Sequence, residues 1–317
     1  MNLRELGRSS IRVPTITFGG NVFGWTVDQA TSFSLLDALL DHKLNFIDTA
    51  DVYSAWVPGN FGGESETIIG NWLQKSGKRD QIILATKVGK PMGPQLKGLS
   101  ARYIREAVEA SLRRLKTDYI DLYQAHDDDQ NTPLAETMNA FDALIKEGKV
   151  RAIGASNYSA ERLAKALDVS AKLGLARYET IQPEYNLYDR HDFEVGLAPL
   201  VQKEGLGVIN YYALASGFLS GKYRSAEDAH KSARGNGIVE KYLNSRGLGI
   251  LDALEQVAHE VNASPVAVAL AWQIAQPGIT SPIASATSLK QLNELAVAAN
   301  LSLSTEQIRV ITDASAY

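Results

Sequence analysis

The chain contains no cysteine among its 317 residues, which excludes disulfide bonds and metal sites built on thiolates. It also lacks a long hydrophobic run, because the longest one, around 265–275, is too short to span a bilayer. The first five residues include charged side chains and show no apolar segment typical of a secretory signal. These absences predict a cytoplasmic protein without a membrane-embedded part.

A strong excess of charge is missing as well. The formal net charge is -4, and no basic stripe is visible, which argues against nucleic acid as a partner. The hydrophobic share of 45% and the charged share of 21% are those of an ordinary globular protein with a large core. We expect one domain over residues 1–317, since α/β barrels reach this length as single domains. The sequence leaves association with copies of itself open.

Short apolar segments alternate with segments of helical period along most of the chain. A hairpin is predicted first, over 3–6 and 10–13, with its turn at Gly7 and Arg8. The predicted strands that follow are 15–18, 45–47, 81–86, 119–124, 152–155, 178–182, 207–210 and, less clearly, 280–283. The predicted helices are 30–42, 103–115, 135–145, 160–173 and 194–203, with further helices beginning near Ser288 and Thr305. Ser100 is the expected N-cap of the second helix, and Gly148 and Gly174 are the expected C-caps of the third and fourth.

This alternation predicts a closed parallel (β/α)8 barrel of the α/β class, with the hairpin before it and long loops at its carboxyl-terminal face. The rival fold is an open doubly wound sheet, which commonly carries G-x-G-x-x-G after its first strand. The segment 19–24, Gly-Gly-Asn-Val-Phe-Gly, does not fit that pattern. Two irregular stretches, 54–63 and 216–237, are expected to border one face of the barrel and to act as binding loops.

Polar residues stand at the ends of consecutive predicted strands. Asp48 follows the second strand, Lys87 the third and His126 the fourth. Each alone has an ordinary structural explanation, such as capping or packing. In a barrel, however, the carboxyl ends of all strands meet at one face, where barrel enzymes carry out their chemistry. The later strands continue the series with Ser156, Asn157, Gln182, Tyr211 and Tyr212.

Tyr53, five residues after Asp48, is a candidate proton donor. Lys87 beside it would favour the phenolate and lower the pKa of the phenol, and Asp48 would hold the ammonium. A tuned acid next to a second hydrogen-bond donor, His126, suits carbonyl reduction. Because proteins have no hydride source of their own, a nicotinamide cofactor is expected. Amide side chains suit its carboxamide, and the aromatic Tyr211 suits stacking on its ring.

Several short motifs occur along the chain in a characteristic order and spacing. In these motifs the chain resembles the aldo-keto reductase family over nearly its whole length, in a branch that includes bacterial reductases and potassium-channel β-subunits. The matching segments are 46–53, 63–66 with 69–70, 85–87, 111–115, 119–123 with His126, 148–157 and 182–187.

The resemblance implies a catalytic tetrad of Asp48, Tyr53, Lys87 and His126, with Tyr53 as general acid, its two charged neighbours as tuners, and His126 orienting the substrate carbonyl. Trp25 and Trp56, together with Phe23, would line the pocket for a small carbonyl substrate. The implied cofactor contacts are Gly20, Asn21, Asp48, Ser156, Asn157, Gln182, Tyr211, Leu214, Ser216, Gly217, Lys222, Arg234, Thr287, Gln291 and Glu294.

These contacts imply NADPH, with NADH as an alternative. The amino terminus of the helix near Ser288 suits a phosphate group, and Arg234 would add a bidentate phosphate contact. Two residues depart from the family pattern: Ser285 stands where glycine is usual, and Ala213 stands where proline is usual. A Cβ atom at position 285 could push the backbone away from a phosphate, which leaves the preference for NADPH in doubt.

Three other functions are weighed against a reductase. The protein could be a nucleotide-binding regulatory subunit with little turnover. Lys87 could act as a Schiff-base nucleophile, although Asp48 should keep it protonated. A metal hydrolase is disfavoured, because the run from His126 to Asp129 points its side chains in different directions and no His-Glu-x-x-His helix is present.

Overall fold

An antiparallel hairpin, β1 (Arg4–Glu5) and β2 (Arg12–Val13), opens the chain in the computed structural model, which describes residues 3–232 and 234–317. Its apolar side chains pack against the inward-facing residues of the barrel strands, among them Phe46 and Leu122. The Arg4 guanidinium donates hydrogen bonds to the carbonyl oxygens of Ile279 and Ile274, at 2.7 and 2.8 Å. The hairpin therefore closes the end of the barrel opposite the candidate site.

Eight parallel strands form one sheet whose order follows the chain, with the last strand next to the first. Neighbouring strands pair in register, as Asp48 with Ala85 and Lys87 with Gln124 show. The α/β barrel predicted from the sequence is thereby confirmed. The strands are β3 (Thr17–Gly19), β4 (Phe46–Asp48), β5 (Ile83–Val88), β6 (Ile120–Ala125), β7 (Val150–Ser156), β8 (Tyr178–Gln182), β9 (Gly207–Val208) and β10 (Ile283–Ala284).

The sheet closes through irregular backbone at its last two strands, which are shorter than predicted. The N–H groups of Thr280 and Ser281 both donate to the carbonyl of Val208, at 2.9 and 3.0 Å. Ile283 then donates to Asn210 at 2.9 Å. Two successive donors on one carbonyl break the regular ladder, and Pro282 has no N–H to contribute. Regular pairing therefore begins only at β10.

The helices surround the sheet. The helices predicted from periodicity are present except for the one expected at 194–203. Their caps lie where expected: Ser100 accepts a hydrogen bond from the N–H of Tyr103, and Gly148 and Gly174 lie in the left-handed region just after two helix ends. The helices are α1 (Gln29–Asp41), α2 (Glu64–Ser76), α3 (Ala101–Leu115), α4 (Leu134–Lys146), α5 (Ala160–Leu173), α6 (Ala198–Glu204), α7 (Gly235–Tyr242), α8 (Ser245–Glu260), α9 (Pro265–Ala275), α10 (Leu289–Ala298) and α11 (Thr305–Ala314).

The structure departs from the predicted helices at several places. Helices α2, α7 and α8 lie where no helix is predicted. The segment expected as one helix over 194–203 consists of a π-helical turn, Asp192–Leu197, followed by α6. Helix α9 lies in a segment where periodicity predicts none. Its residues are apolar and buried on nearly all sides, so no polar face marks a helical period. Within residues 3–232 and 234–317, no helix is long and apolar enough to cross a membrane.

The two stretches expected to be irregular differ from one another. Residues 54–63 contain turns only, as predicted. The prediction for 216–237 is wrong, because this stretch contains the 3-10 turns Ala215–Ser220 and Ala226–Lys231 and the start of α7. A capping box, in which Ser225 and Asp228 each bond the other's backbone, stabilises the second turn.

Candidate active site

The Lys87 ammonium group lies at the centre of the polar face of the barrel. Its Nζ atom donates three hydrogen bonds: to Asp48 Oδ2 at 2.6 Å, to the Thr49 carbonyl at 2.9 Å and to Tyr53 Oη at 2.8 Å. An ammonium group has three protons, so its donors are all used. Because Tyr53 accepts the bond from Lys87, the proton of its own hydroxyl group is free to be donated to another group.

Asp48 is held from its other side by two amides. Its Oδ1 atom accepts hydrogen bonds from Nε2 of Gln124 and from Nε2 of Gln182, each at 3.1 Å. Asp48 is 1% exposed, and these bonds satisfy a carboxylate that would otherwise be costly to bury. Sequence reasoning missed Gln124. The available signal was its position on β6 two residues before His126, which places both side chains on the same side of the chain.

The structure corrects one expectation about electrostatics. Burial, followed by the charge of Asp48, raises the pKa of Tyr53 well above its usual value, whereas the sequence predicts that Lys87 lowers it. The main reason is that the phenol is buried, and in addition Asp48 neutralises Lys87, so the phenol lies beside an ion pair instead of an isolated cation. Burial lowers the pKa of Lys87, and Asp48 opposes that shift. Tyr53 is therefore protonated at neutral pH, as a proton donor requires.

His126 follows β6 and approaches the same phenol. Its backbone N–H donates to the Val88 carbonyl at 2.8 Å, and its ring meets the ring of Tyr53 edge-on at 5.9 Å between centroids. Burial, then the charge of Lys87, lowers the pKa of His126 well below its usual value. The imidazole is therefore neutral at physiological pH, with one N–H to donate. The tetrad residues predicted from the sequence thus lie together at the barrel mouth.

Two tryptophans form a wall above Tyr53. The rings of Trp25 and Trp56 meet edge-on at 5.5 Å, and Trp56 lies 6.1 Å from the Tyr53 ring. The guanidinium of Arg234 lies 4.4 Å from the centre of the Trp25 ring. Phe23, expected in the pocket, is instead fully buried and stacks on Phe18. The wall is therefore built from the two tryptophans, and Arg234 packs on one of them.

The loop that carries Trp56 is fixed by polar contacts to the first loop. Ser54 Oγ donates to the Phe23 carbonyl at 2.8 Å, and Asn60 Nδ2 donates to the Gly24 carbonyl at 3.1 Å. At the start of α2, Ser65 Oγ donates to the Gly20 carbonyl at 2.7 Å. These bonds hold the two tryptophan-bearing loops together.

The amide residues expected at a nicotinamide carboxamide lie beside the tetrad. Ser156 Oγ donates to the Gln182 carbonyl at 2.9 Å. Asn157, in the left-handed region at φ 58°, accepts from Tyr211 Oη at 2.9 Å and donates to the His126 carbonyl at 2.9 Å. Part of the Gln182 amide is already used by Asp48. Gln182 thus connects Asp48 of the tetrad with Ser156 of the expected carboxamide site.

The segment that follows Tyr211 has unusual backbone geometry. Ala215, Ser216 and Gly217 have successive φ values of 48°, 57° and 102°. A Cβ atom added at Gly217 would lie 3.9 Å from Lys222 Nζ, so the ammonium group reaches this loop. Leu214 precedes the three residues, and its carbonyl accepts from Gly217 at 2.8 Å. Backbone strain of this kind gathers at ligand-binding loops, and the nearby cation suits a phosphate.

The residues expected at the adenine end divide into two groups. The single hydroxyl proton of Ser285 has two acceptors within reach, the Gly19 carbonyl at 2.8 Å and Asn21 Oδ1 at 2.7 Å, so the side chain joins β10 to the first loop. Thr287 and Gln291 are exposed and bonded to one another at the amino terminus of α10, through Thr287 N–H and Gln291 Oε1 at 2.8 Å. Glu294 lies one turn further along the same helix.

Comparison with known proteins assigns the chain. A model of the aldo/keto reductase family matches residues 15–316. The chain belongs to the aldo/keto reductase family. It is 35% identical to the uncharacterized oxidoreductase YrpG of Bacillus subtilis, over 99% of this chain and 95% of that protein. It is 34% identical to a probable voltage-gated potassium channel subunit beta of Arabidopsis thaliana, over 93% and 90%. It is 32% identical to an L-glyceraldehyde 3-phosphate reductase of Escherichia coli O157:H7, over 98% and 91%.

Membership makes this aldo/keto reductase an oxidoreductase of a family that uses nicotinamide nucleotides, and its site residues fit such a group. Amides lie beside the tetrad, and a strained loop with an adjacent lysine suits a pyrophosphate. Arg234, also expected to contact a phosphate, stacks on Trp25. No group of three metal-ligating side chains is found in the described part of the reductase.

Proposed function

We propose that this aldo/keto reductase uses NADPH to reduce aldehydes or ketones to alcohols. The observation that carries the proposal is the simultaneous donation from Lys87 Nζ to Asp48 and to Tyr53, at 2.6 and 2.8 Å. Those two bonds fix the phenol oxygen and leave the phenol proton available at the barrel mouth. A carbonyl oxygen placed there would receive that proton as the carbon is reduced.

Each tetrad residue has a role in that step. Tyr53 donates its proton to the carbonyl oxygen, and Lys87 stabilises the phenolate that results. Asp48 keeps the lysine charged and in place. His126, neutral because it is buried, donates a second hydrogen bond that orients the carbonyl and stabilises charge on its oxygen. A bound NADPH would supply the hydride that no side chain can provide.

Residues around the tetrad would hold that cofactor. Ser156, Asn157 and Gln182 suit the carboxamide, and the Tyr211 ring suits stacking on the nicotinamide. The loop over 214–217 and Lys222 suit the pyrophosphate. Arg234, Thr287 and Gln291, with the amino terminus of α10, would favour the extra phosphate of NADPH over NADH. Gly20, Asn21 and Glu294 would complete the cofactor contacts expected from the sequence.

The direct test is NADPH consumption, followed by absorbance, with a broadly accepted aldehyde such as 4-nitrobenzaldehyde. Replacing Tyr53 by phenylalanine removes the donated proton, and turnover is expected to fall by roughly 10²–10⁴-fold. Tryptophan fluorescence quenching by NADPH should be retained in the variant, because the ring remains. Full turnover in the Tyr53→Phe protein would remove Tyr53 from its role.

A second candidate function follows from the relatives named as potassium-channel subunits. The chain is 34% identical to one of them over 93% of its length. On this alternative the protein binds NADPH and acts as a regulatory subunit with little turnover. Steady-state turnover well above one oxidation of the bound cofactor would decide for the reductase. A single cycle with no further consumption would decide for the subunit.

A further inference from the structure

Asp51 is a buried acid for which the proposed mechanism has no use. It stands two residues before Tyr53 and is 1% exposed. Both of its carboxyl oxygens are shielded from solvent and have no hydrogen-bond partner among residues 3–232 and 234–317. Its backbone N–H donates to the Lys87 carbonyl at 3.3 Å, which fixes it beside the strand that carries the lysine.

The neighbouring charges do not pair with Asp51. Glu66, fully buried in α2, accepts hydrogen bonds from Thr86 Oγ1 at 2.6 Å and from Arg114 Nε at 2.7 Å. The Arg114 guanidinium is thus directed to Glu66, and its Nη2 reaches Ser111 at 3.3 Å. Asp51 therefore lies next to an ion pair that already balances itself.

Several elements near Asp51 contribute polar or charged groups. Glu66 comes from α2, Arg114 and Tyr103 from α3, Tyr123 from β6 and Lys87 from β5. The hydroxyl oxygen of Tyr123 is also buried without a hydrogen-bond partner in the described part of the chain. Among these groups, Arg114 is paired with Glu66, Lys87 donates all its protons elsewhere, and the other two are phenols. None of them neutralises a second carboxylate.

A carboxylate that is buried and unpaired is costly, so the group keeps its proton. Burial, and then the charge of Glu66, raise the pKa of Asp51 to about 8. Arg114, the backbone N–H of Val52 and Lys87, in that order, oppose this shift without cancelling it. Asp51 is consequently uncharged at neutral pH and becomes charged under mildly alkaline conditions.

The charge state of Asp51 reaches the tetrad. A negative charge at this position raises the pKa of Tyr53 and that of Lys87. A phenol whose pKa rises further donates its proton less readily. We propose that Asp51 is a positioning residue of the reduction: its uncharged, unpaired carboxyl group keeps a second negative charge away from the Lys87–Tyr53 pair, so that Tyr53 remains an effective proton donor.

This inference rests on the proposed reductase function, and its kinetic test is a pH profile. The rate of a single turnover with prebound NADPH and 4-nitrobenzaldehyde is measured from about pH 6 to about pH 10. The native rate should fall above a pH of about 8. In Asp51→Asn, which mimics the protonated acid, the rate at neutral pH should stay within about threefold of native, and the fall should move up by about one pH unit or more.

Two kinetic outcomes overturn the proposal. One is a profile of Asp51→Asn that superimposes on the native profile. The other is a rate reduced by the same factor at every pH, which is what a purely structural role would give. Asp142→Asn is the matched control, because Asp142 is a mostly buried aspartate of α4 that pairs with Lys146. Its replacement should leave the shape of the profile unchanged.

Infrared spectroscopy reports on Asp51 without any substrate. The native protein should show a protonated-carboxyl C=O band at neutral pH that disappears as the pH rises through about 8, and Asp51→Asn should lack that band. Absence of the band in the native protein overturns the proposal even if aldehydes are reduced. A native protein that shows the band but reduces no carbonyl compound removes the reductase function, and the role of Asp51 with it.

Discussion

Lys87 Nζ and Tyr53 Oη lie 2.8 Å apart, and the lysine is the donor between them. The direction of this bond decides what the phenol can do. Its oxygen accepts from the ammonium, so its own proton is directed away from the lysine. Because Lys87 also donates to Asp48 and to the Thr49 carbonyl, the ammonium has no proton left for a substrate. This arrangement disfavours the Schiff-base alternative, which requires a free amine.

Replacing Lys87 by methionine should reduce both activity and stability. The change leaves Asp48 buried without its cation, and breaking a buried pair of this kind costs about 3–5 kcal/mol. Chemical denaturation measures that loss. In the double variant Asp48→Asn with Lys87→Met, no charge is left unpaired, so most of the stability should return while turnover stays low. Recovery of turnover in the double variant would contradict the role of Lys87.

Replacing Gln124 by methionine should separate the support of Asp48 from cofactor binding. Asp48 loses one of its two amide donors, and a hydrogen bond to a charged group contributes about 1.5–3 kcal/mol. The turnover number should fall by roughly tenfold, as expected for about 1.4 kcal/mol of lost transition-state stabilisation. NADPH affinity, measured by fluorescence titration, should be unchanged. Gln182→Met is the comparison, because it should weaken cofactor binding as well. Native turnover in Gln124→Met would contradict this assignment.

Because of His126, the free energy of unfolding should decrease under acidic conditions. Its folded-state pKa is lowered by burial, so below about pH 6.5 the unfolded chain binds a proton that the folded chain does not. The stability associated with neutral His126 is complete above that pH and is lost as the pH falls toward the folded-state pKa. Denaturation curves of the native protein and of His126→Gln should therefore converge below about pH 6.5. Parallel curves would contradict the prediction. The control is His42→Gln, at a partly exposed site where the ring bonds Asn293.

Asp51 should act on stability in the opposite direction. Its pKa is about 8 in the folded protein, whereas the ordinary value for an aspartate side chain in water is 3.8. Between these values the folded chain keeps a proton that the unfolded chain releases, so stability falls as the pH rises, by up to about 1.4 kcal/mol per pH unit. Asp51→Asn removes that dependence. Its stability relative to the native protein should grow from about pH 4 to about pH 8, measured by denaturation at several pH values.

We expect the Arg234 guanidinium to move from the Trp25 ring to a phosphate when the cofactor binds. Its guanidinium stacks on that ring at 4.4 Å, and a phosphate would be a stronger partner than an aromatic face. Arg234→Gln should weaken NADPH binding by about tenfold, or about 1.4 kcal/mol, and reduce its dependence on salt. Arg224→Gln, which breaks surface pairs with Asp252 and Glu255, is the control. Equal NADPH affinity in Arg234→Gln and in the native protein would mean that Arg234 lines the substrate pocket and does not contact the cofactor.

The sequence determined the barrel and most of the candidate site. Alternating strands and helices leave few ways to bury their apolar faces, and parallel strands place the residues at their carboxyl ends on one face. Asp48, Lys87 and His126 could therefore be assigned to one pocket from their positions alone. The short polar turns and caps, such as Ser100, were also readable, because capping is a local interaction.

Only the tertiary structure decided how those groups affect one another. Three findings depend on contacts that the sequence does not show: Gln124 supports Asp48, Phe23 belongs to the core, and Arg234 stacks on Trp25. The direction of the Tyr53 pKa shift predicted from the sequence was wrong for the same reason. A sequence shows which charges are present, but burial and distance decide which of them are paired, and the pairing sets each pKa.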